Sequence, residues 1–166
     1  MPAATIAPAT EDHLPAISAL AGTIWRAYYP AITGKDQIEY MLSWMYSLET
    51  MCTELRNGIR YERQLLHDEL IGFASYGLTN EPGSIKLHKL YLLPKLHGQG
   101  FGTQLLKHCE TEARNLGARV MTLNVNKKNA RAIAAYQRNG FTITQSVVND
   151  IGRGFVMDDY IMTKQL

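Results

Sequence analysis

Three glycines at alternate positions, in the segment HGQGFGT at positions 97–103, are the residues of this sequence best suited to chemistry. They join an apolar run to an amphipathic stretch, where a helix would begin. A helix N-terminus exposes unpaired backbone N–H groups and the positive end of the peptide dipoles. Glycines there let phosphate oxygens approach the amides closely. The pattern predicts a phosphate-binding turn, and the plainer alternative is a tight connection without a ligand.

Two common phosphate-binding motifs do not match this turn. A P-loop requires Gly-x-x-x-x-Gly-Lys-Ser/Thr, and no Lys-Ser or Lys-Thr pair follows these glycines. The dinucleotide fingerprint is Gly-x-Gly-x-x-Gly with an acidic residue about 20 positions further on. Here the spacing is Gly-x-Gly-x-Gly, and the next predicted strand ends in the uncharged Asn124 and Asn126. Neither nucleotide motif is therefore expected.

A third motif does match, and it extends over residues 85–141. The segments LYLLPKLHGQGFGTQLL and TLNVNKKNARAIAAYQRNGF resemble the GNAT superfamily of acetyl-coenzyme A-dependent N-acetyltransferases. That superfamily carries Arg/Gln-x-x-Gly-x-Gly/Ala after a strand, and here Gly100 and Gly102 occupy the two small positions. His97 stands where Arg or Gln is usual, which weakens side-chain help to the phosphates but leaves the backbone amides in place.

The resemblance implies a cofactor site and a general acid. The strand that precedes the glycine turn would splay from its neighbour and bind the pantetheine arm of acetyl-CoA through its backbone. The glycine turn would hold the pyrophosphate, Asn129 would contact the pantetheine arm, and Tyr136 would be the acid. The predicted cofactor-binding residues are Leu90, Tyr91, Leu92, His97, Gly98, Gln99, Gly100, Phe101, Gly102, Thr103, Asn124 and Asn129.

The roles of Tyr136 and Leu92 also follow from the chemistry of acetyl transfer. An alkylamine, with a pKa near ~10.4, must lose a proton, and a leaving thiolate with a pKa around ~8.5 must gain one. The Tyr136 phenol, with a pKa of ~10, can supply it. The backbone N–H of Leu92 is the candidate donor to the developing oxyanion. Alternatively, Tyr136 packs in the core, because it shares a helix stripe with Ala132 and Ile133.

The candidate general base, which would accept the proton of the acceptor amine, is His88. His88 lies on the strand before the glycine turn, where alternation would place it on one face with Leu90 and Leu92. Histidine titrates near neutrality and could take the amine proton directly or through water. Equally, His88 could be a structural residue whose ring nitrogens hydrogen-bond to neighbouring strands or to solvent. No metal is expected, because the pair His108-Cys109 has no second pair at metal-ligand spacing.

The acceptor is predicted from the two ends of the chain. Residues 24–49 are rich in Trp, Tyr and Met, which favours a core helix but also an aromatic wall that attracts ammonium groups. Asp158 and Asp159 are adjacent on the last predicted strand, and we expect both carboxylates to be exposed; the alternative is that one of them points into the acceptor cleft. These regions loosely resemble a bacterial subgroup that includes polyamine N-acetyltransferases. The expected acceptor is a small-molecule primary amine; the alternatives are a protein N-terminus or lysine, and a module that binds acyl-CoA without turnover.

The elements that must position these residues follow from hydrophobic periodicity. Helices are predicted over 11–29, 36–55, 101–116 and 130–139, the last with Asn129 as its N-cap. Strands are predicted over 59–66, 70–78, 85–93, 119–126, 141–148 and 154–164, with residues 149–154 as the last turn. This order predicts one α/β domain over 1–166. The resemblance makes it a GNAT fold, a mixed and mostly antiparallel sheet with splayed central strands flanked by helices.

Composition limits the partners and the compartment. The 17 basic and 15 acidic side chains nearly balance, so neither nucleic acid nor a membrane is expected as a partner. The first residues lack the basic and apolar regions of a secretory signal. Cys52 and Cys109 have no recognisable pair spacing, which favours a reduced, cytoplasmic setting. A homodimer is compatible with the sequence but not required by it.

Overall fold

The computed structural model describes residues 3–166, which form a seven-stranded sheet with helices on both faces. The strand order is β1-β2-β3-β4-β5-β7-β6. The strands are β1 Thr5–Pro8, β2 Arg60–Leu66, β3 Glu69–Leu78, β4 Ser84–Leu92, β5 Val120–Asn126, β6 Thr142–Gly152 and β7 Phe155–Gln165. Only the β4–β5 pairing is parallel, which confirms the predicted mixed and mostly antiparallel sheet.

Five α-helices cover the two faces of this sheet. They are α1 Leu14–Tyr28, α2 Lys35–Trp44, α3 Leu48–Arg56, α4 Phe101–Asn115 and α5 Ala130–Arg138. Helices α1, α2 and α3 pack into one apolar cluster with β2 and β3, and α4 and α5 contribute to another with β4, β5 and β7. Between residues 3 and 166, no helix has both the length and the apolar character needed to cross a membrane.

The predicted single helix over 36–55 is wrong, because the chain breaks between α2 and α3. Ser47 has extended backbone angles, and its hydroxyl accepts a hydrogen bond from Thr50 N–H at 3.2 Å. This is an N-cap, which starts a new helix and ends the preceding one. The break turns Tyr46 into the core, where its hydroxyl accepts a hydrogen bond from Trp25 Nε1 at 3.2 Å.

The ends of the sheet also differ from the prediction. Residues 149–151 continue β6 and stay paired with β7, so the predicted six-residue turn shrinks to Arg153 and Gly154, both at positive φ. Strand β1 is absent from the prediction, because four residues are too few to show a clear alternation. It pairs antiparallel with β2 at the edge of the sheet.

The central strands β4 and β5 separate halfway along their length. Their parallel register runs only from Ser84 opposite Val120 to Leu87 opposite Leu123. Beyond that point β4 remains paired with β3 alone. Leu93 N–H donates to Ile71 O on β3 at 2.9 Å, and by alternation Leu92 N–H points to the opposite edge, toward the gap. The predicted splay of the central strands is thus confirmed.

Candidate active site

Two cavities open into the gap between β4 and β5. The first, here called the aromatic cavity, has a volume of about 410 Å³ and is bounded by α1, α2, β4, β5 and the β6–β7 hairpin. The second, here called the glycine-loop cavity, has a volume of about 510 Å³ and lies between the start of α4 and α5. The residues that line both cavities are Tyr29, Leu90, Tyr91, Asn129, Ala132 and Tyr136. The gap therefore connects two chambers at Tyr136.

The glycine turn has the geometry of an anion cradle. Gly98 and Gly100 have φ of +79° and +89°, in the left-handed region that favours glycine. The first intrahelical bond of α4 runs from Gln104 N–H to Gly100 O, so the amides that precede Gln104 have no helical partner. A Cβ at Gly100 or Gly102 would stand in open space rather than against protein atoms. Free amides beside open space can hold phosphate oxygens.

Most of the predicted cofactor residues line the glycine-loop cavity, but three do not. Phe101 is buried in an apolar cluster with Leu92, so only its backbone amide remains available. The side-chain amide of Gln99 donates to Lys95 O at 3.4 Å, outside the cavity lining. Asn124 lines the aromatic cavity instead.

His97 serves to fix the turn rather than to supply charge. Its Nε2 lies 3.2 Å from Leu92 O, and because a carbonyl can only accept, Nε2 carries the hydrogen. Desolvation, followed by the nearby Arg131 guanidinium, lowers the pKa of His97. The ring is thus neutral at pH 7. Arg131, which sequence reasoning missed, lies against Gly98: its Nη2 would be 3.5 Å from a Cβ built there.

Asn129 holds α5 to α1. The predicted N-cap is confirmed, since Asn129 Oδ1 accepts from Ala132 N–H at 3.3 Å. The same oxygen accepts from the Tyr28 hydroxyl at 3.2 Å. The residue is buried at the junction of the two cavities, where it sets the position of α5 and hence of Tyr136.

Tyr136 projects from α5 into the junction. Its ring packs edge-on against Phe141 at 5.6 Å between centroids. Burial, with a smaller effect of the nearby Cys109, raises the pKa of the Tyr136 phenol well above its usual value. Among residues 3–166 no side chain hydrogen-bonds its hydroxyl. The phenol is therefore protonated at neutral pH and can donate to a ligand in the cavity.

His88 does not follow the alternation predicted for β4. It is the extra residue of a β-bulge, since Ser75 pairs with Lys89 and Tyr76 with Leu87. Leu87 and Leu90 consequently pack into the same apolar cluster, and the predicted common face of His88 and Leu90 is wrong.

The His88 ring lines the aromatic cavity. Although the ring is exposed at this wall, partial desolvation and, less strongly, the ammonium groups of Lys86 and Lys89 lower the pKa of His88 to about 4. The ring is neutral at pH 7 and able to accept a proton, although it is a weak base.

Asp159 is a candidate functional residue whose expected exposure is wrong and whose alternative, a carboxylate turned into a cleft, agrees with the structure. The expectation that both adjacent aspartates are exposed holds for Asp158 alone. Asp159 is 2% exposed and lines the aromatic cavity. Neighbouring residues of a strand point to opposite faces, which is why one carboxylate of the pair lies in the cavity and the other does not. Among residues 3–166, no cluster of three or more His, Cys, Asp or Glu side chains could hold a metal ion.

The chain belongs to a family of acyl-group-transferring enzymes. A sequence model of the Acetyltransferase (GNAT) family matches residues 22–141, most of the chain. The protein is therefore a member of the GNAT family, as the glycine turn and the Tyr136 motif predict.

Individual relatives resemble parts of the chain. An uncharacterized N-acetyltransferase of Mycobacterium tuberculosis is 34% identical over 101 residues, which cover 60% of this chain and 64% of that protein. The peptidyl-lysine N-acetyltransferase YjaB of Salmonella typhimurium is 36% identical over 89 residues, covering 53% of this chain and 54% of YjaB. This chain thus aligns with less than two thirds of the length of either protein.

Solved structures resemble the whole chain. The PaiA N-acetyltransferase from Thermoplasma acidophilum, in complex with coenzyme A, superposes with a TM-score of 0.84 at 23% identity and covers 99% of both chains. A GCN5-related N-acetyltransferase from Rhodopseudomonas palustris gives a TM-score of 0.82 at 20% identity, covering 98% of this chain and 95% of its own. At these identities the likeness establishes the fold, and it confirms the predicted GNAT architecture.

Proposed function

We propose that this protein transfers the acetyl group of acetyl-CoA to the primary amine of a small molecule, by direct attack with both substrates bound. One observation carries the proposal: two cavities enter the β4–β5 gap and meet at Tyr136. The glycine-loop cavity has free amides and Arg131 for phosphates. The aromatic cavity has room for an acceptor. Family membership and a structural neighbour that binds coenzyme A support the assignment of the cofactor.

The residues at the gap have distinct tasks in this reaction. Acetyl-CoA supplies a thioester, which an amine attacks to form an amide and release a thiolate. Leu92 N–H, unpaired on the open edge of β4, donates to the thioester oxygen as negative charge develops there. The Tyr136 hydroxyl, which stays protonated at pH 7, donates its proton to the departing sulfur and regains one from the nitrogen as the amide forms.

The proton of the acceptor's ammonium leaves toward His88 and solvent. Because the pKa of His88 is lowered to about 4, its ring is always unprotonated at neutral pH. It is nevertheless far less basic than an alkylamine, whose pKa is near ~10.4. We propose that His88 orders a water path for the proton rather than storing it. Its place at the wall of the aromatic cavity supports this role.

The enclosure of the aromatic cavity favours a small acceptor over a protein chain. Helix α2 is tied to the β6–β7 hairpin across this cavity. Tyr40 O–H donates to Ile151 O at 2.5 Å, and Gln37 Nε2 donates to Val156 O at 2.8 Å. A protein N-terminus or lysine would require an open groove here for the flanking backbone. These two hydrogen bonds support a small acceptor.

A thiol-release assay tests the proposal. The purified protein is mixed with acetyl-CoA and a panel of spermidine, aromatic monoamines, amino acids, aminoglycosides and lysine peptides. We expect thiol release with a small amine, and strongly reduced release in Tyr136→Phe. Release with peptides alone would move the activity to a protein acceptor. If no member of the panel causes thiol release but acetyl-CoA still raises the melting temperature, the protein would be a module that binds acyl-CoA without turnover.

A further inference from the structure

We propose that the Asp159 carboxylate binds the acceptor's ammonium group, and that the acceptor is a monoamine carried on an apolar or aromatic body. The inference rests on the proposed function, whose acceptor class it specifies. It follows from the position of Asp159, from its lack of an ion-pair partner and from the side chains around the cavity.

Asp159 is buried and lines the aromatic cavity. On β7 it pairs with Asn126 of β5, just beyond the point where β4 and β5 separate. The Asn124 side chain lies near its carboxylate and partly offsets the rise of its pKa. The negative charge of Asp159 also contributes to the raised pKa of Tyr91, a residue that lines both cavities. The carboxylate therefore faces the chamber that the acceptor would enter.

The Asp159 carboxylate has no cation of its own in the part of the chain that the structure describes. No Lys, Arg or His nitrogen of residues 3–166 lies within ion-pair distance of it. Asp158, next in the chain, is 54% exposed and pairs with Lys127 at 2.7 Å. A buried carboxylate without an ion pair is unfavourable, and burial accordingly raises the pKa of Asp159, which the more distant charges of Lys86 and Lys127 offset only in part. A ligand ammonium at this position would remove that cost.

The walls of the cavity determine what carries the ammonium. Trp25 stacks on Tyr29 at 3.9 Å between centroids, and Tyr91 lies 5.6 Å from Trp25. Such faces attract both apolar groups and the cation. Further apolar side chains that line the cavity are Met41, Trp44, Met45, Ile151 and Met157.

A second ammonium would have no free carboxylate. The other acid among the described residues that line the cavity is Glu54, which pairs with Lys89 at 3.1 Å. Lys86 adds a further positive charge on the same strand. A polyamine would bring its second cation toward these lysines, whereas a monoamine brings only an apolar body. The charge distribution therefore favours monoamines.

Calorimetric binding to the CoA-loaded protein tests the inference without turnover. The probes are phenethylamine and the uncharged 2-phenylethanol, which has nearly the same shape. We expect the wild-type protein to prefer the amine by on the order of 10- to 100-fold, as for a hydrogen bond to a charged group. Asp159→Asn should reduce that preference to about twofold or less, while the affinity for CoA stays unchanged.

A neighbouring variant and a third probe complete the design. Asp158→Asn removes an exposed carboxylate from the same strand and should keep the full preference for the amine. Spermidine should bind the wild-type protein no more tightly than phenethylamine. Three results would each overturn the ammonium site. They are equal binding of amine and alcohol, no measurable binding of the amine, and equal effects of the two variants. Tighter binding of spermidine would overturn the monoamine class.

The two proposals fail in different ways. Asp159-dependent amine binding without thiol release would remove the acetyl-transfer proposal and leave the ammonium site standing. Thiol release from amines that bind equally well to wild type and Asp159→Asn would support acetyl transfer and remove the ammonium site. The comparison of amine with alcohol in the wild-type protein is decisive even where Asp159→Asn fails to fold.

Discussion

At the scale of single residues, the site depends on a group of phenols kept protonated by burial. Burial is the main cause that raises the pKa of Tyr29, Tyr91 and Tyr136, and neighbouring phenols add to the shift in Tyr29 and Tyr91. Tyr136 differs from the other two because it approaches the junction from α5, on the glycine-loop side. A phenol in that place can meet the sulfur of a thioester that enters from the same side.

Replacing Tyr136 by Phe should slow turnover while leaving cofactor binding intact. The ring contact with Phe141 survives, so only the donated proton is lost. General-acid catalysis typically contributes 10²–10⁴-fold, and we expect kcat to fall by roughly that amount. Steady-state kinetics and calorimetry with CoA measure the two effects. Weakened CoA binding at unchanged kcat would show that Tyr136 is a packing residue.

The pH dependence should lack a histidine inflection. Because the imidazole of His88 becomes neutral as the pH rises through about 4, its charge does not change near neutrality. The fraction of unprotonated amine, by contrast, rises up to a pKa near ~10.4. We therefore expect kcat/KM for an alkylamine to increase steadily between about pH 6 and pH 9. An inflection near ~6.5 that disappears in His88→Gln would contradict the lowered pKa.

At the scale of elements, the start of α4 combines backbone strain with an open anion site. Gly100 is the N-cap and Gly117 follows the C-terminal end of the same helix, and both have positive φ. At either glycine, a Cβ would meet no protein atom within 4 Å. The two ends are thus alike in conformation but unlike in function, because only the N-terminus presents free N–H groups to an anion.

Gly100→Ala and Gly117→Ala form a matched pair. Each should lower the free energy of unfolding by about 1–2 kcal/mol, the cost of a left-handed conformation with a Cβ. Only Gly100→Ala should also weaken CoA binding, on the order of tenfold or more, because its Cβ enters the phosphate cradle. Denaturant titration and calorimetry measure the two quantities. Equal CoA affinities in both variants would show that the turn is a tight connection alone.

Helix α5 adds the cation that the glycine turn itself lacks. His97 is neutral, and Arg131 lies beside Gly98. Arg131→Gln should therefore raise the KM for acetyl-CoA by on the order of tenfold, as expected for a charge-assisted hydrogen bond. The KM for acetyl-pantetheine, which has no phosphates, should not change. Arg114→Gln, on the outer side of α4, is the control. A loss that is equal for both thioesters would place Arg131 away from the phosphates.

At the scale of the whole molecule, β4 and β5 separate along part of their length, but the two sides of the sheet still share one core. Only residues 84–87 of β4 pair with β5, yet one apolar cluster runs across this join from Tyr76 on β3 to Met162 on β7. The gap that the substrates need is therefore bordered by a continuous core. Stability and function depend on the same four-residue pairing.

We predict that the protein unfolds as a single unit. Calorimetry should show one transition whose van't Hoff and calorimetric enthalpies agree, as for one domain. CoA at about 100 times its Kd should add roughly 2.7 kcal/mol to the free energy of unfolding by linkage and shift the whole transition upward. Two transitions, of which CoA moves one, would instead make the β5–β7 region a separate unit.

The sequence by itself determined the family, the glycine turn, the cap at Asn129 and the location of Tyr136. These features are local, since turns, caps and helix stripes depend on residues a few positions apart. Only the tertiary structure decided that Asp159 is buried, that His88 occupies a bulge and that Arg131 reaches Gly98. Each of these depends on segments far apart in the chain, and no short-range pattern records which side chain a distant element will cover.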